Sequence, residues 1–272
     1  MKNLKLNKKL LAMLLAGSIA LTPISSLAGS YVSGIDLNDD IEEYQYDPEK
    51  DYGYEDWFKP YKTSCYTDLL YTDLMEKLPP FMIDLFRTTK WNIKLVNKGW
   101  LSYNWGVNGR GACYYEKRTI AVEGFYRGKD LVKLYQERHC DQEYLDNTDL
   151  VTLNYLAIRS AIFHECGHML DYNYKYTNKK EWNRIYAAEK GNANYMSSRY
   201  WEGMTSGTYN LKYNYEFWAT CFEAYILCRE DLQEYCPQAY EYIHNIVYTR
   251  EKEFEETHPE YDYYHEREGL IK

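Results

Sequence analysis

The stretch from Thr148 to Tyr174 constrains this chain more than any other. It contains no proline, has no glycine before Gly167, and carries His164-Glu165-Cys166-Gly167-His168 in its second half. Leu153, Leu156, Ile158, Ile162, Phe163 and Leu170 recur along it as apolar residues do on a largely buried helix. On a helix, residues four apart share a face roughly 6 Å apart along the axis, so His164 and His168 can reach one metal ion. Glu165 falls about 100° round the helix from His164, so its carboxylate can reach a water at that ion without taking a coordination position. Ser160, Ala161 and Ala157 precede the histidines and are small enough to leave space there. Buried polar groups need partners, and a metal supplies one.

A catalytic zinc site needs a third protein ligand and an open position for water. The extended motif HExxHxxGxxH is excluded, because Asp171 stands at its glycine and Tyr174 at its third histidine. The ligand therefore comes from farther along the chain. Tyr215 to Arg229 reads as a second helix, apolar on most faces, with Glu216 and Glu223 seven residues apart on one stripe.

Three separately spaced elements resemble the zinc-peptidase domain of anthrax lethal factor and the related secreted Pro-Pro endopeptidases. They are HECGHMLD at His164 to Asp171, EFWATCF at Glu216 to Phe222, with Tyr209 seven residues before Glu216, and a proline-started helix from Pro237. The resemblance covers Thr152 to about Lys252. It implies one Zn(2+) per chain bound by His164, His168 and Glu216, with Glu165 as general base and Tyr209 stabilising the oxyanion. It implies a zinc metalloendopeptidase whose partner is a protein or peptide substrate. One position departs from the pattern: the family's second glutamate, four residues after the ligand, is Thr220 here. In the family that carboxylate orients a ligand, and Glu223 or Asp171 stands as a candidate to take its place.

The expected fold class is α+β, a small mixed sheet followed by the HExxH helix and a C-terminal helical part, gluzincin-like in arrangement. Thr67 to Lys77 and Phe81 to Thr88 read as helices on either side of Pro79-Pro80. Trp91 to Asn97, Leu101 to Trp105, Ala112 to Lys117 and Arg118 to Val122 read as short strands. The last is expected at the sheet edge, where an extended peptide could pair with it. Three helices then complete a single domain.

Met1 to Ala28 has the parts of a secretory signal: Lys2, Lys5, Lys8 and Lys9, an apolar run from Leu10 to Leu21, and Ser26-Leu27-Ala28 as a cleavage site. The run is too short for a permanent anchor, and Ser30 rather than cysteine follows Gly29, so release is expected without lipidation. The expected organisation is 1–28 signal peptide, 29–62 acidic flexible leader, 63–258 peptidase domain and 259–272 charged tail. Removing the signal removes four lysines and takes the formal charge from −9 to −13. Such a chain lacks the basic character that nucleic acid or an anionic membrane requires. It is expected to be an extracellular monomer with no membrane anchor.

The seven cysteines leave at least one unpaired within a monomer, and without a CxxC no second zinc site is expected. Cys166 is expected to be a buried apolar residue rather than a ligand. Cys221 and Cys228 lie too far apart along a helix to bridge, whereas Cys228 could meet Cys236 across the helix end. Two other classes remain open: a non-catalytic surface protein on a degenerate peptidase scaffold, which Thr220 would suit, and a zinc amidase acting on cell-wall peptides. Zinc content and activity discriminate the first, and the products formed discriminate the second.

Overall fold

A computed structural model describes residues 44–45, 52–60, 62–63, 65–124, 129, 131, 133, 135, 147–193 and 212–259. All belong to one compact unit, Ile35–Lys272. The expected signal segment, Tyr209, Cys140, most of the leader and the tail beyond 259 lie outside the described residues.

Two short strands, β1 (Tyr44–Gln45) and β3 (Lys62–Thr63), pair antiparallel. The main sheet contains β2 (Phe58–Pro60), β4 (Asn92–Asn97), β5 (Gly111–Tyr114) and β6 (Thr119–Gly124), in the order β2-β4-β6-β5. The first three are parallel and β5 runs antiparallel to β6, with Ile93 opposite Ile120 and Cys113 opposite Ile120 on its other side. Parallel strands are buried on both faces and so read as unbroken apolar runs. Every residue of β6 is accordingly buried.

This corrects the expected edge: β6 lies between two neighbours, and β5 forms the border on that side. The core also reaches upstream of the expected domain start, because Trp57 and Phe58 are buried and β2 joins the sheet beside β4. Acidic composition masked these two aromatic residues.

Before the sheet's centre come helices α1 (Cys65–Lys77) and α2 (Pro80–Thr89). Pro80 at the first helical position begins α2, since proline's fixed φ suits that place, and Lys90 in the left-handed region ends it. Leu101 to Trp105, expected as a strand, belongs instead to α3 (Trp100–Trp105). Gly99 and Gly106, at φ 83 and 66, flank α3, while the buried Glu123 carboxylate accepts a hydrogen bond from the Leu101 N–H at 2.9 Å. Ala112 to Lys117 divides into β5 and a 3-10 turn, Tyr115–Lys117.

The long helix α4 (Leu150–Tyr174) starts at Asp149, whose side chain accepts from the Thr152 N–H and hydroxyl, both at 2.8 Å. It packs on β6, burying Leu153, Leu156, Ile158, Ile162, Phe163, Cys166, Met169 and Leu170. Then come α5 (Lys180–Glu189), α6 (Asn214–Leu227), α7 (Arg229–Tyr235) and α8 (Pro237–Thr257). The described C-terminal part thus has α5 and α7 beyond the three expected helices. Its core is aromatic: Trp182 stacks on Phe217, and Trp218 on Tyr176. The fold is α+β, a small mixed sheet with a mostly helical remainder.

Cys113, Cys166, Cys221 and Cys236 are free thiols. The buried Cys221 thiol meets Cys236.

Candidate metal centre

Helices α4 and α6 approach closely because Gly167 carries no side chain. A Cβ there would lie 2.9 Å from Ala219 Cα and 3.2 Å from Phe222 Cβ, inside ordinary contact. The Trp218 indole N–H donates to the Gly167 carbonyl at 2.8 Å and fixes the relative height of the two helices. The start of α6 is pinned as well: Trp182 Nε1 donates to the Asn214 carbonyl at 3.0 Å, and Asn214 Nδ2 donates to Thr177 O at 3.0 Å. Glu216, two residues into α6, is therefore held in place against α4.

The stripe Ser160, His164, His168 of α4 faces the stripe Glu216, Thr220, Glu223 of α6. His164 Nε2 and His168 Nε2 lie 3.2 Å and 3.5 Å from the same oxygen, Glu216 Oε2. The imidazole rings are 4.9 Å apart and nearly perpendicular, at 82°. One ligand atom from each of the three residues lies within 4.8 Å of the others, as a single ion requires. Two imidazoles and one carboxylate form the donor set of a catalytic zinc site.

Electrostatics favour a cation here. Burial works to lower the His164 pKa, but hydrogen bonds to Glu216 and Glu223 outweigh it and push it up to about 10. Burial likewise works to raise Glu216, and His164 and His168 instead hold it down at about 2. Neither Glu216 nor Glu223 pairs with a lysine or arginine among the described residues. The positive partner at this position is a titratable ring, which can exchange its proton for a metal ion.

Glu165 is buried on the other side of the histidine stripe, between α4 and β5. A Cβ on Gly111 would fall 2.7 Å from its Oε1 and 2.9 Å from its Cγ, so glycine in the edge strand lets this carboxylate sit where it does without shifting. Burial raises the Glu165 pKa, partly opposed by His168 and His164, and a carboxylate of raised pKa is a better base.

Residues 68–246 match the family described as anthrax toxin lethal factor, N- and C-terminal domain. The chain belongs to this family. A solved structure similar to this chain is that of the Pro-Pro endopeptidase from Paenibacillus alvei, at 16% sequence identity and a TM-score of 0.43, covering 70% of this chain and 97% of that one. No curated protein matches it.

Of the residues expected at a lethal factor-type site, His164, His168 and Glu216 come together and Glu165 lies beside them. Asp171 is committed elsewhere: its carboxylate accepts from the Thr177 N–H at 2.8 Å and hydroxyl at 2.7 Å, closing the turn after α4. Glu223, by contrast, reaches His164 Nδ1 at 3.5 Å. Ser160 is not the spacer its size suggested, because its hydroxyl donates to Glu223 Oε1 at 2.5 Å. Gly111 was not legible as part of the site, since only the strand pairing brings it over Glu165.

Proposed function

We propose that this chain is a secreted zinc-dependent metalloendopeptidase. One observation carries the reading: two imidazole nitrogens converge on a single Glu216 oxygen, with no fixed cation among the described residues to satisfy them. His164, His168 and Glu216 would hold one zinc. Bound there, zinc would lower the pKa of a water towards about 7 and polarise the scissile carbonyl.

The protein's own groups do the rest. Glu165, with its raised pKa, accepts the proton of the attacking water and passes it to the leaving amine. Tyr209, assigned by the family resemblance, donates to the developing oxyanion. No nucleophilic side chain is needed, and the buried Cys166 takes no part. Export follows from the signal-like segment 1–28, with cleavage after Ala28. No helix among the described residues is long and apolar enough to cross a membrane. The substrate is a protein or peptide, and the working unit is a monomer.

Metal analysis of the purified protein, run with cleavage of a diverse peptide library, tests this reading. One zinc per chain is expected. Glu165→Ala should keep the zinc and lose cleavage by about 10²- to 10⁴-fold. Absence of zinc, or full activity in Glu165→Ala, would overturn the assignment.

A further inference from the structure

We propose that Glu223, braced by Ser160, is the positioning residue of this metal centre: it holds His164 so that Nε2 faces the ion. The inference rests on the metal reading above and adds a residue to it.

Glu223 is 1% exposed, and Ser160 equally so. A carboxylate at that depth is costly to bury unless it is paired and hydrogen-bonded. Its two oxygens have separate occupations. Oε1 accepts the Ser160 hydroxyl at 2.5 Å, and Oε2 faces His164 Nδ1 at 3.5 Å. Among the described residues no other group meets that ring nitrogen. A carboxylate accepts and does not donate, so it selects the imidazole form carrying its proton on Nδ1. That tautomer leaves the Nε2 lone pair free, and Nε2 is the atom aimed at Glu216 Oε2.

The geometry also explains why Ser160 and Glu223 belong together. Ser160 lies one turn before His164 on α4, and Glu223 lies two turns beyond Glu216 on α6. The close helix approach at Gly167 brings these positions opposite one another. Without the Ser160 hydroxyl, Glu223 could rotate away from the ring. Thr220, between the two glutamates on the same stripe, cannot substitute: it is fully buried, and its hydroxyl has no hydrogen-bond partner among the described residues. The two ligand histidines are therefore unequal. His164 has a carboxylate behind it, while the buried His168 Nδ1 has no hydrogen-bond partner among the described residues.

The experiment measures zinc affinity of the full chain by competition with a chromophoric chelator, and the visible absorption of the Co(2+)-loaded protein. Wild type is compared with Glu223→Gln, Glu223→Asp, Ser160→Ala and His164→Ala. Glu223→Gln should weaken zinc by about tenfold or more and alter the Co(2+) bands, because the ring loses its charged brace. Glu223→Asp should recover part of the affinity, and Ser160→Ala should shift it in the same direction by less. Should Glu223→Gln fail to fold, Ser160→Ala, which deletes a single hydroxyl, reads the same effect. A merely structural Glu223 would lower the melting temperature and leave both metal readouts unmoved, and zinc affinity within twofold of wild type would overturn the proposal. Failure of the metal reading itself has a different signature: wild type binds no zinc, or His164→Ala binds it as well as wild type.

Discussion

Two buried clusters of charge lie along α4, and they are completed in opposite ways. The first joins α4 to α1: Arg159 Nε lies 2.8 Å from Asp73 Oδ2, the Tyr155 hydroxyl donates to the same carboxylate, and Lys77 stands 3.8 Å away. Its two principal side chains are 9% and 5% exposed, and the anion has a permanent cation. The second joins α4 to α6, where, among the described residues, Glu216 and Glu223 meet imidazole rings and a hydroxyl. A third buried carboxylate, Glu189, resembles the first cluster in being fully used, since it accepts from the Gln238 and Ala239 N–H groups at 2.9 and 3.0 Å at the start of α8. A structural carboxylate is thus paired with something that cannot leave. The carboxylates facing His164 are paired with imidazole rings that can lose a proton to solvent and take a metal ion in its place, and that distinguishes a candidate ligand site from a structural ion pair.

The largest expected effect comes from opening the closed cluster. Arg159→Met leaves Asp73 buried beside Tyr155 and the more distant Lys77. Removing one partner of such a pair costs about 3–5 kcal/mol, so urea unfolding should show a loss of that size. Zinc affinity of the folded protein should stay unchanged, because Arg159 pairs with Asp73 on α1 and is not among the groups that meet Glu216 or Glu223. A fall in zinc affinity alongside stability would break the comparison and make the two clusters one cooperative unit.

A smaller loss is expected where the open cluster depends on helix approach. Gly167→Ala places a methyl 2.9 Å from Ala219 Cα, a backbone atom that cannot swing aside. Overpacking of this kind costs about 1–3 kcal/mol. Because α6 must move to relieve it, zinc affinity should fall too, in contrast to Arg159→Met. Chelator competition together with urea unfolding checks both quantities, and lost stability with unchanged affinity would show that the ligand set tolerates a shift of α6.

The sequence made half of this comparison legible. The i, i+4 histidines and the proline-free run around them identified α4, and local spacing placed Glu216 and Glu223 on one face of a second helix. What local pattern could not supply was pairing at long range. Ser160 meets a partner 63 positions away, and β5 takes the sheet edge because β6 pairs on both sides. Leu101 to Trp105 has the aromatic content of a strand, yet Gly99, Gly106 and the distant Glu123 carboxylate make it helical. Trp57 and Phe58 were obscured by the acidic residues around them, although a buried aromatic pair outweighs several solvated charges in deciding where a core begins. Glu223 was visible as a carboxylate on the right stripe, but its role depends on which ring nitrogen it faces, and no spacing rule specifies that.

The smallest expected effect sharpens the same contrast at the surface. Arg87 and Glu55 also form a closed pair, with Nη2 2.5 Å from Oε1 and Nε 2.8 Å from Oε2, but their side chains are 40% and 30% exposed. The Arg87 hydrogen bond, helped by Trp57 Nε1 against the opposing effect of burial, holds the Glu55 carboxyl below its ordinary 4.5. A depressed carboxyl stabilises the fold above the unfolded-state pKa and loses that contribution as pH falls through the folded-state value. Wild type and Arg87→Ala should therefore differ by at most about 1 kcal/mol above pH 4.5, with the two stability curves converging in acid. Urea midpoints measured across that range, at low and high salt, give the test. A difference as large as that of Arg159→Met, or one that survives in acid, would mean that burial is not what separates the closed cluster on α4 from an ordinary surface pair.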